Sequence, residues 1–155
     1  MPRFENLDVL LNSKDITSSI MELDDFVCRI FYSNDKGKLS EPQMMFLINQ
    51  DLEREVNNGG FNQYFVNTSG EYAHEAVLSL KAIGADKTAA ILQDAIDQFP
   101  NKTVPKDRDQ RIEVVEQIEE DANVLWDELT QKFFNYEDDL NYLNIEYIKK
   151  HKDSF

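Results

Sequence analysis

The stretch EVNNGGFNQYFVNTSG at residues 55–70 decides the fold of this chain. Its Gly-Gly pair does not fit a phosphate site, because no Lys follows the glycines and no strand-like run precedes them. We therefore interpret the pair structurally. We predict that one helix ends after Val56, and that Gly59 or Gly60 adopts the left-handed backbone conformation that closes such an end.

The residues around the glycines complete this interpretation. We expect Phe61, Tyr64 and Phe65 to return as core anchors of the next short helix, because their spacing places them on one helical face. The amide side chains are expected to satisfy exposed backbone groups at the two helix ends; they are Asn57, Asn58, Asn62, Gln63 and Asn67. The structural motif as a whole comprises Asn58, Gly59, Gly60, Phe61, Gln63, Tyr64, Phe65, Asn67 and Gly70.

Apolar spacing predicts helices throughout the rest of the chain. Ser40 and Gln43 form a capping box at the start of the second helix, and Asp86 is expected to cap a fifth helix. The predicted helices span about 16–31, 40–57, 61–67, 73–83, 86–99, 107–134 and 138–151, and no segment alternates with period two. The sequence therefore predicts an all-α, single-domain bundle of about six to seven helices, with one long C-terminal amphipathic acidic helix. Residues 1–39 would form a helical arm packed on a core domain of residues 40–155, as one folded unit.

Charge narrows the function classes. The 155 residues include 30 acids and 16 bases, and the net charge of −14 works against nucleic acid or an anionic membrane as a partner. The acidity is uneven, because residues 107–155 carry 14 acids and 6 bases, whereas residues 59–106 carry 5 and 4. No secretory leader or run long enough to span a membrane is evident, so we expect a cytoplasmic protein that attracts a basic partner.

Catalytic and metal chemistry find little support in the sequence. Glu71 and His74 form a single Glu-x-x-His pair, whereas di-iron bundles need two such pairs, and Cys28 is the only cysteine. No nucleophile turn of the Gly-x-Ser-x-Gly type occurs. We therefore expect no enzyme, no catalytic residue, no cofactor and no metal, and we interpret His74 as a surface residue. A carboxylate enzyme with a deep cleft or bound metal at Glu71 and His74 stays open as a third hypothesis.

A line of carboxylates is predicted on the long helix, opposite its apolar side. At 100° per residue the five acids fall within a narrow band, about 27 Å long from the first to the last; they are Asp109, Glu113, Glu116, Glu120 and Asp127. One strand of B-DNA carries roughly twice that charge density, so imitation of a backbone would need help from neighbouring acids such as Glu137, Asp138 and Asp139. On the residues alone, an ordinary solvated face is the better interpretation.

The motif supplies a further indication. The segments VNNGGFNQYF at residues 56–65, NTSG at 67–70 and AIGA at 82–85 resemble the DNA mimic protein family, most of whose members are catalogued as a domain of unknown function. The resemblance extends in organisation over about residues 40–147. It implies an acidic all-α protein that can form a homodimer. It also implies a decoy that occupies the DNA-binding surface of a basic protein such as a transcription factor. The alternative is an immunity-type or other acidic module that binds a basic toxin or nuclease.

Overall fold

Seven α-helices make up the structure, a computed structural model that describes residues 3–33 and 38–155. They are α1 (Leu7–Leu11), α2 (Ile16–Tyr32), α3 (Glu41–Val66), α4 (Ala73–Ala82), α5 (Asp86–Ile96), α6 (Arg108–Phe134) and α7 (Leu140–Lys150). Short 3-10 helices occur at Thr68–Tyr72, Pro100–Lys102 and Lys152–Ser154. Residues 3–33 and 38–155 contain no strand, so the prediction of an all-α bundle is confirmed.

The Gly-Gly pair divides α3 into two helical segments that meet at a bend, as the sequence predicts, although the first segment continues past Val56 to the glycines. Gly60 has φ 76° and ψ −173°, a conformation outside the helical region, and helical residues continue on both sides of it. The Phe61 amide at this bend donates to Thr130 Oγ1 of α6 at 3.3 Å, and that hydroxyl donates in turn to the Trp126 carbonyl at 2.8 Å. The bend is therefore fastened to a neighbouring helix.

The larger part of the core lies between helices α4, α5 and α6 and the part of α3 that follows the bend at Gly60. Phe61, Tyr64 and Phe65 are at most 1% exposed, where their helical spacing predicts them. Phe65 packs against Trp126 of α6 with ring centroids 5.2 Å apart, and the Trp126 indole N–H donates to the Ala95 carbonyl of α5 at 3.0 Å. Burial of side chains of this size is worth about 1.5–3 kcal/mol each, so this aromatic cluster holds the three helices together.

A second apolar cluster joins α1 and α2 to the first half of α3 and to α7. Leu23 and Val27 of α2 are fully buried there, together with Ile148 of α7. The capping box predicted at Ser40 and Gln43 is present, with the Gln43 amide donating to Ser40 Oγ at 3.2 Å. The first half of α3 is thereby placed between the two apolar clusters.

The cap of α5 comes from a distant part of the chain. Asp86 makes no side-chain cap, so its predicted role is wrong; Ala85 occupies the N-cap position. The Asp138 carboxylate instead accepts from the Thr88 amide at 2.8 Å and from the Thr88 hydroxyl at 3.0 Å. Because these are the donors that a helix start leaves unpaired, Asp138 fixes the segment before α7 against the start of α5.

Candidate partner-binding face

Five carboxylates lie along one exposed side of α6; we call them the acidic row. None of them forms an ion pair or a side-chain hydrogen bond with a residue in 3–33 or 38–155, and the row consists of Asp109, Glu113, Glu116, Glu120 and Asp127. The opposite side of α6 is buried, through Val115, Ala122, Trp126, Leu129 and Phe133. The packing of the apolar side therefore holds the acidic row towards solvent.

The acidic row is interrupted between Glu120 and Asp127. Asn123 is half-buried in this gap, and Val124 beside it is 68% exposed. Asp121 and Glu128 are also exposed on α6, but at 100° per residue they lie about a quarter turn or more from the row. The row thus consists of four carboxylates, an uncharged gap of about two helical turns and a fifth carboxylate, over about 27 Å in total.

The three acids after α6 differ from the row. Asp138 is half-buried and holds α5, and the Asp139 carboxylate caps α7 by accepting from the Tyr142 amide at 3.1 Å. Glu137 is exposed, with Lys87 3.9 Å away. Asp138 and Asp139 were predicted as partner-binding acids, but their carboxylates already bind backbone amides within the fold.

A buried cation lies on the other side of α6, and sequence reasoning missed it. Arg111 is fully buried, and its guanidinium donates to four backbone carbonyls: those of Phe65 at 2.6 Å, Asn67 at 2.9 Å, Pro105 at 3.0 Å and Lys106 at 3.0 Å. Two of these carbonyls are at the end of α3, where the helix dipole is negative. Burial lowers the pKa of Arg111 from its ordinary value. The sequence does contain a signal for this buried cation, because Arg111 occupies a position on the apolar side of α6.

Gly70 completes this arrangement. A Cβ atom at Gly70 would lie 2.6 Å from the Phe65 carbonyl oxygen and 2.8 Å from Arg111 Nε. Both neighbours are fixed, one as backbone and the other by its hydrogen bonds, so only glycine fits. The end of the motif is therefore a structural element that allows the chain to pass close to the buried guanidinium.

The motif amides bind side chains, whereas the sequence predicted that they would satisfy backbone groups. Asn57 donates to the Tyr136 hydroxyl at 2.7 Å, and Asn62 donates to Glu119 and to Asn123 of α6. Gln63 and Asn67 both donate to Glu55 Oε2 of α3, at 2.9 and 2.7 Å. Asn58 is exposed. Four of the five amides thus link side chains around the bend.

Several of these residues line an open groove between the bent end of α3 and α6, which we call the amide groove. Its volume is about 640 Å³, and its lining consists of Gly59, Asn62, Gln63, Val66, Asn67, Asn123 and Asp127. Asp127 belongs to the acidic row as well. The motif and the acidic row, which are far apart in sequence, therefore meet at one place on the surface.

The comparison with known families agrees with this architecture. The family model described as DMP19-like protein matches residues 37–151, which include all of α3 to α7. The chain belongs to the DMP19-like protein family. The resemblance of the motif to the DNA mimic protein family is thereby confirmed. No curated protein and no solved structure matches the chain.

In this member of the DMP19-like family, α1 and α2 precede the matched residues. They form most of the second apolar cluster with α3 and α7. The acidic row and the amide groove lie wholly within the matched range. Every element of the candidate face therefore belongs to the family scaffold.

His74 binds a backbone amide within the fold, and Cys28 is half-buried. His74 is half-buried, and its Nε2 accepts from the Val104 amide at 3.0 Å, so the expectation of a surface histidine is wrong. Burial raises the pKa of the Cys28 thiol to about 11, which keeps it protonated at neutral pH.

Among the described residues, no three His, Cys, Asp or Glu side chains are grouped as metal ligands. None of the helices described is long and apolar enough to cross a membrane.

Proposed function

We propose that this protein is an acidic binding protein that occupies the DNA-binding surface of a basic protein, such as a transcription factor. The observation that carries the proposal is the acidic row. Its five carboxylates face solvent along one side of α6 and have no cationic partner within residues 3–33 and 38–155. Arg and Lys side chains that normally contact phosphates would pair with these carboxylates.

Electrostatics gives this mode of binding a clear signature. The net charge of −14 repels nucleic acid and anionic membranes, so the proposal includes neither as a direct partner. It attracts a basic surface over about one Debye length, which is roughly 8 Å at physiological ionic strength. Binding should therefore weaken steeply as salt is added. Duplex DNA should displace the protein from its partner, because both would occupy the same basic surface.

The membership in the DMP19-like family supports the proposal, because the resemblance to DNA mimics implies the same kind of decoy. The fold supports it in a second way. The carboxylates that stabilise the fold, such as those of Asp138 and Asp139, are separate from the acidic row. The row can therefore be altered without removing a helix cap. The proposal assigns the protein no catalytic step and no cofactor.

Charge reversal of the row tests the proposal. The variant E113K/E116K/E120K should lose the basic DNA-binding proteins that the wild-type protein captures from a lysate of its source organism at low salt. The same proteins should be released from the wild-type protein by added duplex DNA. Capture that is unchanged by the charge reversal would contradict binding through the acidic row.

A control of equal charge separates the row from the overall acidity. Three exposed acids outside the row make no side-chain ion pair with the described residues; they are Asp94, Asp121 and Glu128. Their reversal to Lys changes the net charge by the same amount as the reversal of Glu113, Glu116 and Glu120. The variant D94K/D121K/E128K should retain most of the capture. Capture of a toxin or nuclease whose toxic activity the protein blocks would instead favour the immunity-type alternative.

A further inference from the structure

The amide groove joins the acidic row at Asp127, and its chemistry is specific enough to indicate what binds there. Its amides are held in one orientation by carboxylates. Glu55 Oε2 accepts from Gln63 Nε2 and Asn67 Nδ2, at 2.9 and 2.7 Å. A carboxylate can only accept hydrogen bonds, so the NH₂ end of each amide faces Glu55. Asn62 Nδ2 likewise donates to Glu119 Oε2 at 3.2 Å.

This orientation leaves the oxygen atoms as the unused polar atoms of the groove. The side-chain oxygens of Asn62, Gln63 and Asn67 accept no hydrogen bond from residues 3–33 or 38–155. The carboxylate of Asp127 is similarly without a cation among those residues. The groove is therefore rich in hydrogen-bond acceptors and carries a negative charge at one end.

The absence of a side chain at Gly59 preserves this arrangement. A Cβ atom at Gly59 would overlap with the Oε1 and Cδ atoms of Gln63. The first glycine of the motif thus leaves space for the Gln63 amide, whereas the second provides the bend of α3. The two glycines have different roles, and the role of Gly59 concerns the groove.

We propose that the amide groove binds an arginine side chain of the basic partner; this inference rests on the proposed function. A guanidinium carries five N–H donors in a planar fork, and it matches a set of several acceptors next to one carboxylate. A lysine ammonium has three donors around one point and satisfies fewer of these acceptors. The acidic row attracts both kinds of cation, and the amide groove selects arginine.

The probes are acetylated and amidated hexa-arginine and hexa-lysine, which carry equal charge, with binding measured by calorimetry at low salt. Guanidinium binds most carboxylates somewhat better than ammonium does, so the informative quantity is the change in the arginine-to-lysine affinity ratio between variants. In Q63L the ratio should fall by about threefold to tenfold, because acceptor bonds to a charged donor are lost. The affinity for hexa-lysine should fall less than the affinity for hexa-arginine, because an ammonium uses fewer of these acceptors.

A second variant tests the groove by a gain. Asn123 Nδ2 donates to none of the described residues, and its Oδ1 accepts from Asn62 at 3.0 Å. The change N123D keeps that acceptor and replaces the free donor with another acceptor. The matched control is V124D, which adds the same charge at an exposed neighbour that does not line the groove. N123D should raise the arginine-to-lysine ratio, and V124D should raise both affinities without changing the ratio.

The outcomes separate this inference from the proposed function. A ratio that is unchanged in Q63L and equal in N123D and V124D overturns the arginine site, even if the acidic row binds both peptides. The variant E113K/E116K/E120K should weaken both peptides while the ratio remains. If that variant weakens neither peptide, the acidic row fails as a binding surface, and the ratio in the groove variants still decides the arginine site. Thermal unfolding checks that each variant is folded.

Discussion

The two sides of α6 treat charge in opposite ways. On the buried side, Arg111 donates to four backbone carbonyls and forms no ion pair with a carboxylate of residues 3–33 or 38–155. On the exposed side, the five carboxylates of the acidic row bind nothing within the described residues. Removal of a charge whose hydrogen bonds are all made within the fold leaves its partners unpaired, so such a charge belongs to the scaffold. A charge with none is available to a partner, and this difference separates the scaffold from the proposed binding surface.

The largest expected effect is at Arg111. R111M should lower the free energy of unfolding by more than about 3 kcal/mol, because four carbonyls lose a charged donor in a buried site. R111K should also destabilise strongly, since an ammonium does not reproduce the planar fork. Urea unfolding measures both. In contrast, E113Q/E116Q/E120Q should change stability by less than about 0.5 kcal/mol for each residue. A large loss of stability in this triple variant would break the comparison.

A second effect follows at Gly70, next to the guanidinium. G70A should cost about 2 kcal/mol, because its Cβ would lie 2.6 Å from the Phe65 carbonyl oxygen and 2.9 Å from the Tyr64 carbonyl oxygen. Gly84 is the control, because it has φ 86° and no atom within 4 Å of an added Cβ. G84A should cost about 1 kcal/mol through backbone strain alone. Equal effects in thermal unfolding would show that the close approach at Gly70 is unimportant.

A third effect distinguishes acids of the fold from acids of the surface. D138A should cost about 1 kcal/mol, because Asp138 accepts from the amide and hydroxyl of Thr88 at the start of α5. D86A, at the residue that the sequence indicates as the cap, should cost only about 0.3 kcal/mol from the lost interaction with the helix dipole. The comparison of both variants by urea unfolding checks this order. The reverse order would restore Asp86 as the cap.

The smallest effect concerns a carboxylate with an intermediate position. Burial raises the pKa of Glu53, although a hydrogen bond from Tyr136 partly opposes this. The folded protein therefore binds the proton more tightly than the unfolded chain, and the ionised carboxylate destabilises the fold at neutral pH. E53Q should stabilise the protein at pH 7 by on the order of 0.5 kcal/mol.

The pH dependence provides the check on Glu53. As the pH falls through the raised pKa of Glu53, the wild-type protein takes up the proton and loses this destabilisation. The difference between E53Q and the wild-type protein should therefore shrink as the pH is lowered from 7 towards the ordinary pKa of 4.5. A difference that grows on acidification would mean that the ionised form is the better accommodated one.

Local spacing was sufficient to predict much of this fold. The capping box at Ser40 and the buried positions of Phe61, Tyr64 and Phe65 depend on residues within one or two helical turns, so the sequence shows them directly. The solvent exposure of the acidic row follows from the same 100° periodicity. In each of these cases the pattern that carries the prediction lies within a single helix.

Most of the errors concern residues whose partners are distant in sequence. Asp138 caps a helix that starts 52 residues earlier, at Asp86, and Arg111 binds carbonyls 44 and 46 residues away. Asparagine and glutamine can either cap a helix end or bind another side chain. Asn62 binds the side chains of Glu119 and Asn123 because α6 packs against α3. The amide groove was unpredictable for the same reason, because it exists only where α3 bends beside α6.

The hydroxyl of Thr130 has a consequence for how this family can vary. It accepts from the Phe61 amide at the bend and donates to the Trp126 carbonyl, and a Cβ at Gly60 would lie 3.1 Å from it. Among homologous sequences, Thr or Ser should therefore occur at position 130 wherever the second glycine is kept. Where that glycine is replaced, the residue at position 130 should change with it. Position 124, whose side chain faces solvent, should drift independently of both.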